Sequence, residues 1–108
     1  MVKSIAPQDV GRKIVSSDRP VLVAFLRRGR RHQEQRELLL RAARRYNQRV
    51  NCYFYSDTFL EAGMKQHFVS GTPTYLFFQA GWEVDRLIGC SDDEKLDSFL
   101  NRCLVDCD

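Results

Sequence analysis

The chain has 108 residues, of which 44% are apolar and 29% charged, and its net charge is +3. This composition is typical of one globular domain with one core. No apolar run approaches the roughly 18 residues of a membrane span. Residues 1–5 lack the apolar segment of a signal peptide, so we expect a cytoplasmic protein with no membrane association.

Charge is distributed unevenly along the chain. Residues 1–56 contain 13 basic and 4 acidic side chains, whereas residues 83–108 contain 3 basic and 8 acidic ones. Opposite charges in two parts of a chain can attract a second copy, so a homodimer is one expectation.

Apolar spacing predicts the elements of the N-terminal half. Residues 4–15 are predicted to form a helix with Pro7 in its first turn. Val21–Leu26 is a continuous apolar run, typical of a strand that is buried on both faces. A long helix then continues to about Tyr46. Its apolar stripe has helical spacing and consists of Leu38, Leu39, Ala42, Ala43 and Tyr46.

The C-terminal half begins with a predicted strand, Val50–Tyr55. A helix over residues 58–67 follows, and Phe59, Leu60, Met64 and Phe68 fall at helical spacing. Pro73 has no N–H for a sheet ladder and therefore marks the entry to a strand over residues 74–78. Residues 84–88 pair back as a hairpin. A last helix follows Ser91, which forms a capping box with Glu94.

This order of elements predicts the fold class. Strands that alternate with helices and end in a hairpin indicate an α/β sandwich with a central mixed β-sheet flanked by helices. We expect residues 1–108 to form a single domain.

Three segments of the sequence resemble the thioredoxin family. Residues 17–23 resemble the family's entry into its central strand, residues 71–78 its cis-proline turn, and residues 78–89 its terminal hairpin. The resemblance covers residues 7–104. It implies a thioredoxin-like three-layer sandwich with a cis-Pro turn at Thr72-Pro73.

The family's two catalytic cysteines have no counterpart in this chain. Their positions correspond to Arg30 and Gln33, and neither side chain can form a mixed disulfide. The buried acid near the family's dithiol is replaced by Ala24. We therefore expect a redox-inactive, non-catalytic protein rather than an enzyme of dithiol–disulfide exchange.

Peptide recognition can survive this loss. The family's cis-proline turn presents backbone groups to an extended peptide, which needs no cysteine. The resemblance places Thr72 and Pro73 beside Gly29 and the loop at Gly89 and Cys90. We expect these residues to form a binding groove for a protein or an extended peptide. The alternative is that Pro73 only shapes the turn.

Arginines dominate the segment before the long helix. Nine arginines lie between residues 27 and 49, and Arg28, Arg30 and Arg31 surround Gly29 at the predicted helix N-terminus. Guanidinium groups and free N–H groups at that position favour an anion. Candidate ligands are phosphate, an acidic peptide and nucleic acid. Nucleic acid ranks last because no exposed aromatic residues accompany the arginines. The alternative is a solvated basic face.

Cysteine usage leaves one weak candidate for catalysis. The four cysteines, Cys52, Cys90, Cys103 and Cys107, form neither a C-x-x-C pair nor a zinc pattern, so we expect free thiols, no metal site and no cofactor. The resemblance places Cys90 at the groove near Arg30, where an exposed thiol can be reactive. An atypical thiol–disulfide oxidoreductase in redox homeostasis, using Cys90 with Cys107 or an external thiol, is therefore the alternative function. In the structural alternative, Cys90 is a small buried residue.

Overall fold

The computed structural model describes residues 2–55 and 57–105. Strands and helices alternate along the chain, and two short helical turns, Pro7–Asp9 (3-10) and Gly11–Val15 (π), follow the first strand. The main elements are β1 Val2–Ile5, β2 Val21–Phe25, α1 His32–Arg45, β3 Asn51–Tyr55, α2 Leu60–Gln66, β4 Thr74–Gln79, β5 Trp82–Ile88 and α3 Asp93–Val105.

One mixed sheet organises these elements, in the order β1-β3-β2-β4-β5. β1 and β2 each pair parallel to β3, whereas β4 pairs antiparallel to β2 and to β5. β2 is the central strand, and all five of its residues are buried. Its continuous apolar run is explained by this position, because both faces of a central strand are covered.

Helical segments cover both faces of the sheet, which gives an α/β fold of three layers. α1 and α3 pack on one face around Leu38, Phe77 and Phe99. The π-helical turn and α2 pack on the other face around Ile14, Tyr55 and Leu60. The apolar stripe predicted for α1 is buried as expected. In the part of the chain that the structure describes, no helix is long and apolar enough to cross a membrane.

The first element was predicted wrongly. Val2–Ile5 is a parallel edge strand paired with β3, and only the shorter helical turns follow it. In β1 only Ile5 is buried, so the strand has almost no apolar signal of its own. It is stabilised by pairing with residues about fifty positions away, which a local pattern does not reveal.

Two details of the later helices also differ from the prediction. α2 ends at Gln66, and Phe68, expected on its apolar face, has a positive φ of 57° and is 87% exposed. At the start of α3, Asp92 rather than Ser91 caps the helix, because its Oδ1 accepts a hydrogen bond from the N–H of Lys95 (2.8 Å).

The opposite charges that suggested a homodimer form ion pairs within one chain. Nε of Arg41 on α1 is 3.0 Å from Oδ1 of Asp93 on α3, and Nη2 of Arg45 is 2.9 Å from Oδ1 of Asp97. Hydrogen bonding to Arg41 lowers the pKa of the Asp93 carboxyl. The basic face of α1 therefore has an acidic partner on α3 in the same molecule.

Candidate functional site

A cleft of about 250 Å³ opens where β2 ends and β4 begins. Its walls come from the β2–α1 loop, the start of α1, the turn before β4 and the loop after β5. It is lined by Leu26, Arg27, Arg28, Gly29, Arg30, Arg31, His32, Gln35, Thr72, Pro73 and Cys90. We refer to this site as the cleft. Except for Gly89, every binding residue predicted from the sequence lines it.

Strand pairing explains why these segments meet. Phe25, the last residue of β2, is paired with Thr74, the first residue of β4. Because the two strands run antiparallel, the chain that leaves β2 lies beside the chain that enters β4. The loop that carries the arginines therefore adjoins the Thr72-Pro73 turn.

The Thr72-Pro73 turn is held in place by its neighbours, and its peptide bond is cis. The carbonyl of Pro73 accepts a hydrogen bond from the N–H of Gly89 (2.8 Å), and the hydroxyl of Thr74 donates to the carbonyl of Gly71 (2.7 Å). Gly89 thus supports the turn through this hydrogen bond but does not line the cleft. Its φ of 96° lies in a region that favours glycine. Within residues 2–55 and 57–105, the backbone N–H and C=O of Thr72 have no hydrogen-bond partner.

Gln35 is a site residue that the sequence did not suggest. It is 1% exposed, although it lies on the first turn of a highly charged helix. Its Oε1 accepts hydrogen bonds from the hydroxyl of Tyr75 (2.6 Å) and the N–H of Ser91 (3.1 Å), and its Nε2 donates to the carbonyl of Ser91 (3.0 Å). Burial raises the pKa of the Tyr75 phenol, so this group stays a neutral donor. The network fixes the loop after β5 against α1.

Most arginines of the cleft already have carboxylate partners. Arg27 pairs with Glu61, Arg28 with Asp57 and Arg31 with Glu34, all at exposed positions. The hydrogen bonds that Arg31 donates to the Glu34 carboxylate are the main cause that raises the pKa of Arg31. Within the described residues, Arg30 has no carboxylate partner. The sequence could not show this, because Asp57 and Glu61 follow about thirty residues later.

Cys90 is exposed and lies in the cleft with Arg31, so the alternative of a buried residue is wrong. A coulombic interaction with Cys90 is a further, smaller cause of the raised pKa of Arg31. Cys52 and Cys103 are buried, and burial raises the pKa of the Cys52 thiol to about 11. Cys107, the suggested partner of Cys90, lies outside the described residues.

Arg30 and Gln33, the two positions that the resemblance assigned to a dithiol, are placed differently in the structure. Arg30 lines the cleft, whereas Gln33 does not and its Nε2 donates to Oε1 of Glu37 (3.1 Å) on the surface of α1. Among the described residues, no three His, Cys, Asp or Glu side chains converge to hold a metal ion.

No protein-family model matches the sequence, and no curated protein matches it either. The cleft combines free backbone groups, an unpaired guanidinium and an exposed thiol. These groups can bind an extended, negatively charged chain without any further component.

Proposed function

We propose that this chain is a thioredoxin-like, redox-inactive binding module that holds an extended, acidic segment of a partner protein in the cleft. The observation that carries the proposal is that Thr72 and Arg30 line one cleft, while among the described residues the backbone of Thr72 has no hydrogen-bond partner and Arg30 has no carboxylate partner. The mixed sheet, the helices on both of its faces and the cis bond before Pro73 support the thioredoxin-like assignment.

Backbone groups supply the first part of the recognition. An extended segment can donate to the free C=O of Thr72 and accept from its free N–H, as in the addition of a strand to a sheet edge. The Gly89–Pro73 hydrogen bond and the Gln35 network hold the two sides of the cleft before any ligand arrives. A preformed cleft loses less conformational entropy on binding.

Charge supplies the second part. Arg30 is available to a carboxylate of the ligand, and a guanidinium can bind such a group through two parallel hydrogen bonds. Arg28 and Arg31 are held in exposed ion pairs, which contribute little stability and can exchange for a ligand carboxylate. The cleft therefore favours a segment with at least one acidic residue.

A binding experiment with a short, unstructured peptide tests this proposal. The peptide alternates Glu and Thr and carries a fluorescent label. Fluorescence anisotropy at increasing NaCl concentration should show saturable binding that weakens with salt. Arg30→Glu should weaken binding about tenfold or more, because a charged hydrogen bond is lost and a repulsion is added. A peptide that alternates Lys and Thr is the charge control.

Arg44→Glu is the matched variant. Arg44 lies exposed near the end of α1 and outside the cleft, so the same charge change there should alter the affinity less than twofold. Equal losses for Arg30→Glu and Arg44→Glu would show that only net charge matters. The absence of saturable binding at low salt would also contradict the proposal.

The exposed thiol of Cys90 supports a second candidate function, thiol–disulfide exchange with glutathione. In the forward step the Cys90 thiolate attacks a substrate disulfide, forms a mixed disulfide and releases one substrate thiol. Glutathione then attacks the mixed disulfide and releases the second substrate thiol. Resolution of the resulting Cys90–glutathione disulfide by a second glutathione regenerates the thiol and forms oxidised glutathione.

Reduction of insulin by the protein with glutathione distinguishes the two functions. The binding module should give no rate above that of glutathione alone. Turnover that Cys90→Ser abolishes, together with rapid alkylation of Cys90 near neutral pH, would favour the thiol enzyme.

A further inference from the structure

A second cavity adjoins the cleft on the β3 side of α1 and has a volume of about 180 Å³. It shares Leu26, Arg28 and His32 with the cleft but extends to different elements. The residues found in this cavity and not in the cleft are Arg36, Phe54, Tyr55 and Asp57. We call it the Phe54 cavity. It is smaller than the roughly 300 Å³ that a drug-sized ligand needs, so it suits a small ion or one group of a larger ligand.

Arg36 is the main positively charged group of this cavity. Its guanidinium carbon lies 5.4 Å from the centre of the Phe54 ring. Contact with an aromatic ring occupies the face of a guanidinium, while its N–H donors lie in the plane and remain available. In the described part of the chain Arg36 has no carboxylate partner. Phe54 thus orients a guanidinium that no carboxylate of the described residues occupies.

His32 provides an independent observation. Within residues 2–55 and 57–105, its Nδ1 atom is buried and has no hydrogen-bond partner. A buried N–H without a partner is rarer and more costly than an unpaired acceptor. When the ring carries a single proton, that proton therefore belongs on Nε2, which makes His32 a hydrogen-bond donor at the wall between the two cavities.

Arg28 completes the set of donors. One of its N–H groups is bound to Asp57, which holds the side chain at the rim of the cavity. A guanidinium has five N–H donors, so this pairing leaves others free. Arg28 and Arg36 thus face one carboxylate, that of Asp57, and the lining keeps an excess positive charge.

We propose that the Phe54 cavity binds phosphate, either as the free ion or as the phosphate group of a small molecule. Phosphate offers several acceptor oxygens, and Arg28, His32 and Arg36, which line this cavity together, carry N–H groups that can donate to them. A shallow depression outside the cavity is lined by the same three side chains, so a ligand can reach them from solvent. This site is distinct from the proposed peptide site, although the two share Arg28 and His32, because Arg36 and Phe54 do not line the cleft.

Titration with inorganic phosphate, monitored by calorimetry and by the NMR signals of the His32 ring, tests the site. Chloride at matched ionic strength controls for screening. Saturable binding in the millimolar range or tighter is expected, with shifts of the His32 signals. Phosphoethanolamine, run in parallel, distinguishes the two sources: tighter binding than inorganic phosphate would indicate a phosphorylated small molecule, and weaker binding the free ion.

Three variants locate the bound phosphate. Arg36→Gln should weaken phosphate binding about tenfold or more, since a charged hydrogen bond is lost. Arg30→Gln changes only the cleft, and Arg44→Gln changes the same helix elsewhere, so each should alter the affinity less than twofold. Loss of binding in Arg30→Gln with no effect of Arg36→Gln would place the phosphate in the cleft and overturn the proposal. Equal effects of all three variants, or no saturable binding, would overturn it as well.

Discussion

The side-chain amide of Gln35 is hydrogen-bonded to both backbone groups of Ser91, with Nε2 3.0 Å from the carbonyl oxygen and Oε1 3.1 Å from the amide nitrogen. The amide thus pairs with Ser91 much as a neighbouring strand would. This pairing joins two segments that lie 56 residues apart in the sequence. It keeps the loop of Cys90 next to the start of α1.

Gln35→Leu should destabilise the fold by about 2–3 kcal/mol, because the buried N–H and C=O of Ser91 and the hydroxyl of Tyr75 lose their partner. Urea denaturation at pH 7 measures the free energy of unfolding. Gln33→Leu is the matched control on the same helix, and its exposed position predicts a change within about 0.5 kcal/mol. Equal effects of the two substitutions would contradict the assigned role of Gln35.

Gly63→Ala should also destabilise the fold, although alanine is the better helix former. A Cβ at position 63 would lie 2.5 Å from the ring of Tyr55, which is fully buried and stacked on Phe25. The ring cannot move away, so we expect a loss of about 1–3 kcal/mol in urea denaturation. Gly11→Ala, where nothing lies within 4 Å, is the control and should be neutral or slightly stabilising.

His67 should make the fold less stable at mildly acidic pH. Its ring packs edge-on against Phe25 and Phe78, with centroids 5.8 and 5.6 Å away, and desolvation lowers its pKa below the ordinary 6.5. The unfolded chain then binds the proton more tightly than the folded one. The free energy of unfolding should therefore fall as the pH drops below 6.5, until the folded form is protonated as well.

Urea denaturation of the wild type and His67→Gln between pH 7 and about pH 5.5 measures this effect, above the range in which most carboxylates titrate. The free energy of unfolding should change less with pH in the variant, because His67 is the only group that differs between the two proteins. An identical pH dependence would refute the role of His67.

Phe68→Gly should stabilise the protein by up to about 1 kcal/mol, because a residue with a Cβ is strained at a φ of 57° and glycine is not. The ring is 87% exposed, so little packing is lost. Phe68→Ala removes the same ring but keeps the Cβ, and it should give no comparable gain. If both variants raise the temperature of thermal unfolding equally, the loss of the exposed ring rather than the relief of backbone strain is responsible.

Local apolar patterns predicted correctly those elements whose buried faces are marked by apolar residues in the sequence. β2 agrees with the prediction because both of its faces are covered. The apolar stripe of α1 agrees because this one face of the helix is covered. The contact of Phe54 with the α1–α3 core and of Tyr55 with the opposite core also follows from simple alternation.

Long-range partners account for what the sequence did not reveal. β1 depends on pairing with β3, and the burial of Gln35 depends on Ser91 and Tyr75. The charge of the cleft was overestimated because carboxylates from later segments neutralise Arg27 and Arg28. The residues predicted for the groove line one cleft, apart from Gly89, whose N–H instead donates to the carbonyl of Pro73.

The central position of β2 has a consequence for hydrogen–deuterium exchange. Each of its residues is buried, and the strand is bonded to β3 on one side and to β4 on the other. Its amide protons can exchange only when the whole domain opens, whereas those on the outer edge of β5 need only a local fluctuation. Mass spectrometry of peptides from these two strands would thus record global and local opening in a single time course.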